Sequence, residues 1–230
     1  MLQDGDRVLV AVSGGVDSLV LACVLQTWQA KAPLSYTCRA VHIDNGFWED
    51  QDNGHPLQDI CEQLKQHRID LQIESWNVSE SRPESCYLCA KDRRNRLFEI
   101  ARDRGYNKIA FGHHKDDLIE TFMLNTLYSG NISTMLPKQE LFNGGLSLIR
   151  PMAYLEKEDI SQLAAFFSLS PKANSCPYST TTKRQQVREI LADIDQRIPG
   201  ARNSIFAALS NIRTEYLLKK RVRKKVRTRP

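Results

Sequence analysis

The sequence contains no long hydrophobic run. Nowhere in its 230 residues does a stretch approach the roughly 20 apolar residues that a membrane-spanning helix needs. The opening MLQDGDRVLV lacks the basic and apolar segments of a secretory signal peptide. The composition, 41% hydrophobic and 26% charged, is that of a globular protein with a substantial core. We therefore expect a cytoplasmic protein.

The sequence also lacks the cysteine spacing of a disulfide framework or of a complete zinc site. Six cysteines in a chain of this length, without an export signal, favour thiols, metal ligands or catalytic sulfur. There is one Cys-x-x-Cys pair, Cys86 and Cys89, and Cys176 follows much later in the chain. The other three lie among apolar neighbours or in a predicted strand, and we interpret them as core residues: Cys23, Cys38 and Cys61.

A Cys-x-x-Cys pair is compatible with zinc, with a redox disulfide or with an iron–sulfur cluster. Zinc needs a fourth ligand, and no second pair exists to supply it. A thioredoxin-like role is disfavoured because the pair follows a predicted loop, Pro83-Glu84-Ser85, and not the first strand. Three thiolates would leave one iron of a cubane cluster open to an added ligand such as sulfide.

The net charge of +5 is unevenly distributed. Eight lysines and arginines fall in the last twelve residues, and without them the net charge is −3. This basic tail is either a solvated end or an RNA-binding arm, with Lys224 and Lys225 as candidate contacts. A second basic segment follows the Cys-x-x-Cys pair. Its Arg93, Arg94 and Arg96 are either a solvated helix face or contacts to RNA phosphates.

Strand and helix patterns alternate over the first two-thirds of the chain. Apolar, β-branched runs predict strands at 7–12, 38–43, 69–76 and 108–112, and helical periodicity predicts helices near 16–28, 55–66, 89–104 and 117–128. This alternation predicts an α/β fold with a doubly wound, mostly parallel sheet. The last third predicts helices near 157–167, 184–197 and 203–220. We expect a sheet domain over 1–150, a helical C-terminal extension packed on it over 151–218, and a disordered basic tail over 219–230.

A glycine-containing loop follows the first predicted strand and leads into a helix. Its residues are Ser13, Gly14, Gly15, Val16, Asp17 and Ser18. Glycines let the backbone approach a ligand closely, so that amide groups and the positive helix N-terminus face an anion. The spacing is neither that of a Walker loop nor that of a dinucleotide fold. The alternative is a simple turn in which Asp17 and Ser18 cap the helix.

Polar side chains also follow two other predicted strands. The second strand ends in His42 and Asp44, and the fourth is followed by the motif GHHKDD at 112–117. Parallel strands present such residues at one edge of a sheet, where α/β proteins bind ligands. The alternatives are a turn at Asp44, and helix caps at Asp116 or Asp117 with exposed histidines.

The joint occurrence of SGGVDS and GHHKDD resembles the PP-loop ATP pyrophosphatases, in particular their tRNA-thiolating branch. Four further segments are similar in order and spacing to the tRNA 2-thiocytidine synthetases: SCYLCAKDRRNRLFEIARDRG, GHHKDDLIETFMLNTLYSGNISTMLPK, IRPMAYLEKEDI and SCPYSTTTKRQQVREIL. The similarity extends from about residue 4 to 210. It implies the adenine nucleotide α-hydrolase-like fold and ATP cleavage between the α and β phosphates.

The resemblance implies roles for individual residues. Those implied to bind ATP are Ser13, Gly14, Gly15, Asp17, Ser18, His42, Asp44, His113 and His114. Those implied to be catalytic are Asp17, Asp116, Asp117, Cys86, Cys89 and Cys176. Mg²⁺ is expected on Asp17 and Asp117, and a 4Fe-4S cluster on the three cysteines. Where the family often has a second late cysteine, this chain has Ala173, which weakens a zinc or disulfide interpretation more than a cluster.

The resemblance further implies a reaction: adenylation of the C2 carbonyl of a tRNA cytidine, followed by replacement of oxygen with sulfur. The expected partners are tRNA, a sulfur donor (a cysteine desulfurase or sulfide) and a second copy of the chain in a homodimer, with no membrane. Three alternatives stay open. They are an amidating or lysidine-forming ligase, which has no use for the cysteines, a desulfidase, which needs no ATP, and a non-catalytic nucleotide- or RNA-binding module.

Overall fold

The computed structural model describes residues 1–44, 46, 55–75, 86–172 and 182–218. Their centre is a six-stranded sheet with strand order β3-β2-β1-β4-β6-β5. The strands are β1 (Asp6–Ala11), β2 (Tyr36–Asp44), β3 (Leu71–Ser75), β4 (Lys108–Ala110), β5 (Lys138–Leu141) and β6 (Leu146–Ile149). All neighbours pair in parallel except β5 and β6, which pair antiparallel. The predicted α/β class with a mostly parallel sheet is confirmed.

Helices cover both faces of the sheet. They are α1 (Val16–Lys31), α2 (Pro56–Gln66), α3 (Cys86–Asp103), α4 (Lys115–Ser129), α5 (Lys157–Phe166), α6 (Lys183–Arg197) and α7 (Ala201–Ala208). Strand β1 shows why both faces are covered. Val8 and Val10 pack into one core with α1, α2 and α5, whereas Leu9 packs into the opposite core with α3. Since alternate residues of a strand face opposite sides, its continuous apolar run requires two helical layers.

The C-terminal helices attach to the sheet domain by two routes. Helix α5 contributes Ile160 and Ala164 to the core that contains α1. Helix α6 packs through Val187 and Leu191 against Ile119 of α4. The helical extension therefore lies against α1 and α4, the helices that follow β1 and β4.

The strand order reverses between the parallel neighbours β1 and β4. From β1 the chain proceeds outward to β2 and β3 on one side, whereas β6 and β5 lie on the other side of β4. The connections that leave the two strands diverge, which opens a crevice at their carboxyl ends. The segments on either side of that crevice are 12–15 and 111–114.

The last predicted helix and the predicted set of strands differ from the structure. The helix predicted over 203–220 ends at Ala208, and Thr214–Tyr216 forms only a 3₁₀ turn. The apolar residues beyond it, Ile212 and Leu218, are exposed, so no packing supports a longer helix. Strands β5 and β6 were not predicted, because the exposed, polar β5 has no apolar alternation. The residues Asn143-Gly144, with positive φ at both, are the hairpin signal.

Within the described ranges, no helix combines the length and apolar character needed to cross a bilayer.

Candidate active site

Two loops meet at the crevice between β1 and β4. Gly112, from the loop after β4, lies against the first turn of α1. A Cβ atom on Gly112 would be 2.8 Å from the carbonyl oxygen of Asp17 and 3.0 Å from the amide nitrogen of Ser18. Only glycine permits this backbone approach. The sequence motifs SGGVDS and GHHKDD are therefore in direct contact.

Hydrogen bonds of Ser18 fix the shape of the SGGVDS loop. Its hydroxyl donates to the carbonyl of Gly15 at 2.8 Å and accepts from the backbone N–H of Ser13 at 3.0 Å. Gly14 has φ +90°, a conformation that favours glycine. Gly15 is the N-cap residue of α1 and makes no side-chain cap. The first amides of α1 thus begin at the crevice, as required for an anion site at a helix N-terminus.

A cavity of about 290 Å³ lies at this edge of the sheet. Its lining includes eight of the predicted site residues: Ser13, Asp17, Ser18, His42, Arg93, Arg94, His113 and Asp117. The apolar part of the lining includes Val41, Ile43, Leu97 and Phe111. The structure thus brings together residues from β1, β2, α3 and the loop after β4.

His42 is buried at the end of β2, and Nδ1 lies 2.8 Å from the carbonyl oxygen of Val12. Because a carbonyl only accepts, Nδ1 carries the proton of that bond. Burial lowers the pKa of His42, although the bond to Val12 opposes this effect. Asp44 accepts from the backbone N–H of Gly46 at 2.9 Å and is not among the cavity-lining residues. In the structure Asp44 therefore stabilises a turn, which was the alternative to a ligand contact.

Three carboxylates surround the buried ring of His114. The imidazole Nδ1 lies 3.3 Å from Asp116, and Nε2 lies 3.7 Å from both Asp17 and Asp117. Burial opposes protonation of this ring, but the carboxylates outweigh it and raise the pKa of His114. The contact with His114, together with the charge of Arg202, lowers the pKa of Asp116. Asp117 also accepts from the backbone N–H of His114 at 3.0 Å, which caps α4.

Each of these carboxylates has a basic partner from the C-terminal helices. The pairs are Lys157 with Asp17 at 2.6 Å, Arg202 with Asp116 at 2.8 Å and Arg184 with Asp117 at 3.4 Å. A second cavity, of about 820 Å³, lies on this side and shares Asp17 and Asp117 with the first. Sequence reasoning missed all three basic residues, since no motif marks a partner that is so distant in the chain.

Glu120, on α4, anchors α6 beside the site. It is buried and accepts from Arg188 at 2.7 Å and Arg184 at 3.0 Å. The chain just before the undescribed residues 173–181 also touches the site, because the amide of Lys172 donates to the carbonyl of Gly14 at 3.3 Å. Beyond these residues, Arg184 contacts Asp117. The described residues on both sides of 173–181 therefore contact the SGGVDS and GHHKDD motifs, while Cys176 itself lies outside the described residues.

The Cys-x-x-Cys pair lies in the first turn of α3, which begins at Cys86 and not near residue 89 as predicted. Cys89 is buried, and the next residue, Ala90, lines the cavity together with Arg93 one turn later. Among the described residues, no three histidine, cysteine, aspartate or glutamate side chains are grouped to hold a metal ion.

Burial raises the pKa of the Cys23 thiol to about 11, as expected of an inert core cysteine.

The arginines of α3 divide into two groups. Arg93 and Arg94 line the cavity. Arg96 is not among the lining residues, and it pairs with Glu99 at 3.0 Å and with Glu74 of β3 at 3.4 Å. Its charge is thus already compensated within the protein. Lys224 and Lys225 lie outside the described residues.

The chain is similar in sequence to known proteins. The PP-loop domain model matches residues 2–194. The chain is 33% identical to the tRNA-cytidine(32) 2-sulfurtransferase of Geotalea uraniireducens, over 97% of the chain and 90% of that protein. It is 34% identical to the enzyme of the same name from Syntrophotalea carbinolica, over 95% and 86%, respectively. For the Vibrio vulnificus enzyme of that name the identity is 34%, over 94% and 71%.

Solved structures show the same fold. The U34-tRNA thiolase NcsA from Methanococcus maripaludis, solved with its 4Fe-4S cluster, has a TM-score of 0.70 at 22% identity, covering 91% of this chain and 72% of that one. The NAD+ synthetase from Burkholderia pseudomallei has a TM-score of 0.52 at 13% identity, covering 89% and 81%. The matched family model and the relatives confirm the resemblance predicted from the motifs, and the chain belongs to the PP-loop family, within the group of tRNA-cytidine(32) 2-sulfurtransferases.

Proposed function

We propose that this chain is an ATP-dependent tRNA sulfurtransferase that converts a cytidine of tRNA to 2-thiocytidine. The observation that carries the proposal is the cavity at the β1–β4 crevice. It joins the SGGVDS loop, the end of β2, the GHHKDD loop and the first turns of the cysteine-bearing helix α3. The names of the relatives supply the reaction class, and the cavity supplies the residues for it.

ATP binds with its phosphates on the SGGVDS loop. Amides at the start of α1 and the helix dipole face the pyrophosphate, with Ser13, Gly14, Gly15 and Ser18 forming the cradle. The adenosine lies toward β2, where Val41, His42 and Ile43 line the cavity. We assign indirect roles to Asp44 and His114. Asp44 would hold the turn at the end of β2 by accepting from Gly46, and His114 would position Asp117, whose carboxylate it contacts.

Asp17 and Asp117 would hold Mg²⁺ together with the ATP phosphates. Both line the cavity, and Mg²⁺ prefers one or two carboxylates with phosphate oxygens and water. Mg²⁺ supplies charge neutralisation of the departing pyrophosphate. Without nucleotide, Lys157 and Arg184 balance these same carboxylates at 2.6 and 3.4 Å.

The reaction proceeds in two displacements. The C2 carbonyl oxygen of the cytosine attacks the α phosphorus, the bond to the β-phosphate oxygen breaks, and pyrophosphate leaves. Hydrosulfide then attacks C2, the C2–O bond breaks, AMP leaves with the oxygen, and loss of the S–H proton leaves the C2 thiocarbonyl. The protein contributes positioning and a preorganised positive environment for the leaving pyrophosphate.

Cys86, Cys89 and Cys176 are the residues that would hold a 4Fe-4S cluster. Thiolates are the usual cluster ligands. Cys86 and Cys89 begin the helix whose next turn lines the cavity, and both flanks of the segment that contains Cys176 contact the two loops. When bound through three thiolates, a cluster supplies one iron with an open position where sulfur can be held. The role of the three cysteines would be to hold this cluster near the cavity in which the base is activated.

Arg93 and Arg94 are the proposed contacts to RNA phosphates, since both line the cavity. Arg96 and the tail lysines Lys224 and Lys225 remain weaker proposals, Arg96 because it already pairs with Glu74 and Glu99. The boundaries at 150 and 218, a homodimer and the identity of the sulfur donor stay predictions.

A reconstitution tests the proposal. Anaerobically loaded protein is incubated with unmodified tRNA, sulfide, Mg²⁺ and ATP, and AMP and 2-thiocytidine are quantified by mass spectrometry. We expect equal amounts of the two products, and about a 100-fold loss of both in Asp117→Asn. The matched control is Asp103→Asn, at an exposed carboxylate that pairs with the adjacent Arg102.

Other outcomes would replace the proposal. Release of sulfide from thiolated tRNA without ATP would indicate a desulfidase. Full ATP-dependent turnover by iron-free protein would indicate another PP-loop ligase. No AMP formation with any tRNA would indicate a non-catalytic module.

A further inference from the structure

Arg150 is a buried cation next to the active-site cavity, with a relative exposure of 4%. It follows β6 directly, and its backbone N–H donates to the carbonyl of Pro137 at 2.8 Å. Its Nη1 donates to the carbonyl of Leu136. Among the described residues, no carboxylate lies within ion-pair distance of it. Burying a charge without an opposite charge lowers the stability of the folded protein, which suggests that Arg150 is retained for a function.

The side chain of Arg150 reaches His113. Its Nε donates to Nδ1 of the imidazole at 3.3 Å. Since a guanidinium has only donors, Nδ1 of His113 must be an acceptor and carries no proton. In a neutral imidazole the proton is then on Nε2. The contact thus fixes the tautomer of His113 as well as its position.

The His113 ring is also held on its face. It stacks on Phe111, with ring centroids 5.6 Å apart and an interplanar angle of 29°. Both rings line the cavity, whereas Arg150 is not among the lining residues. What His113 offers to a ligand is therefore the Nε2–H group of a ring held at its edge and at its face.

Several cations keep this ring neutral. Burial, followed by the charges of Arg150, Arg184 and Arg94, lowers the pKa of His113 to about 3. The neighbouring ring of His114 acts in the same direction. His113 therefore neither gains a second proton nor loses its only one at neutral pH. A group in this state is not a general base, because its one lone pair is occupied by Arg150.

We propose that His113 is a fixed, neutral hydrogen-bond donor to an oxygen of the ligand in the cavity, and that Arg150 is the positioning residue that sets its tautomer. The ligand class is one with a carbonyl or phosphoryl oxygen, and its identity as the adenylated base or ATP rests on the proposed function. A donor preset on Nε2 stabilises negative charge that develops on such an oxygen without reorientation during the reaction.

Nitrogen-15 NMR of the ligand-free protein tests the tautomer and is independent of any activity. The His113 signals are assigned by their absence in His113→Gln. We expect the wild type to show a protonated Nε2 and an unprotonated Nδ1 that does not titrate between pH 5 and 8. Arg150→Met should give a mixture of tautomers and raise the His113 pKa toward the ordinary range. Arg7→Met, at the opposite end of β1, is the matched control and should leave the signals unchanged.

Kinetics test the donor role. His113→Gln keeps an amide N–H donor and should retain at least tenfold more AMP formation than His113→Leu, which should lose roughly 100-fold. If Arg150→Met fails to fold, this pair still decides, because both variants keep Arg150. A wild-type His113 protonated on Nδ1 would overturn the proposal, and so would equal rates for the Gln and Leu variants. The NMR result stands whether or not the protein thiolates tRNA, so the two proposals fail separately.

Discussion

Gly112→Ala should separate the two loops of the active site. In the structure, the added Cβ would lie 2.8 Å from the carbonyl oxygen of Asp17 and 2.9 Å from its carbonyl carbon. Ordinary contacts between such atoms are near 3.5 Å, so the backbones must move apart by roughly 0.7 Å to relieve the shorter contact. Both neighbours are backbone atoms of α1, and a side-chain rotation cannot relieve the overlap.

The expected cost has two parts. Overpacking of this kind destabilises by about 1–3 kcal/mol, which for a chain of this length lowers Tm by roughly 2–12 °C. The displacement also shifts the SGGVDS amides relative to Asp117, and a misplacement approaching 1 Å costs up to about 100-fold in rate. We expect a 10- to 100-fold loss of tRNA-dependent AMP formation.

The assay pairs thermal unfolding with AMP formation at saturating ATP. The matched control is Gly145→Ala in the β5–β6 turn, where φ is −66° and the nearest atom, the Phe142 carbonyl oxygen, is 3.3 Å away. This control should keep nearly full activity. A Gly112→Ala protein with wild-type rate and Tm would refute the conclusion that close loop contact at this glycine shapes the site.

Three further variants test the stability and the site. Lys108→Met leaves the buried Asp6 carboxylate without its 2.5 Å partner and should cost about 3 kcal/mol at pH 7 in urea unfolding. Lys108, with backbone and amide donors, outweighs burial and lowers the pKa of Asp6, so this stabilisation is complete above the ordinary carboxyl range and is lost as the pH falls through the lowered pKa. An unchanged difference between the two proteins at acid pH would contradict this. Glu120→Gln removes the buried charge that two arginines of α6 share and should destabilise by about 2 kcal/mol, whereas an unchanged urea midpoint would show that α6 is held by its apolar contacts alone. Cys89→Ala should lose iron after anaerobic reconstitution but keep ATP binding, while Cys61→Ala should keep both, and retained iron in the first variant would exclude Cys89 as a ligand.

The sequence predicted those parts of the fold that depend on local pattern. The buried apolar residues 8–10 of β1 form one local pattern, and the SGG turn that follows the strand is another. Both depend on residues within a few positions of one another. The hairpin of β5 and β6 escaped prediction because β5 is polar and exposed, and is held by its pairing with β6. The predicted end of the last helix failed because periodicity alone does not show whether Ile212 has a surface to pack on.

The site was predicted in its motifs but not in its electrostatics. Asp17, Asp117 and His113 were predicted from the two motifs and the family resemblance that these motifs carry, and parallel strands were expected to bring the motifs to one edge of the sheet. Their basic neighbours Lys157 and Arg150 lie far from their partners in the sequence and meet them only in the folded structure. No rule based on motif spacing could therefore identify them. Gly112 shows the same limit, since its need for glycine depends on a contact with another loop.

Mass spectrometry of tRNA nucleosides from cells with and without this gene tests the central claim most directly. The proposed reaction predicts that 2-thiocytidine disappears when the gene is deleted and returns when it is restored. An unchanged level of 2-thiocytidine after deletion would contradict the proposed function.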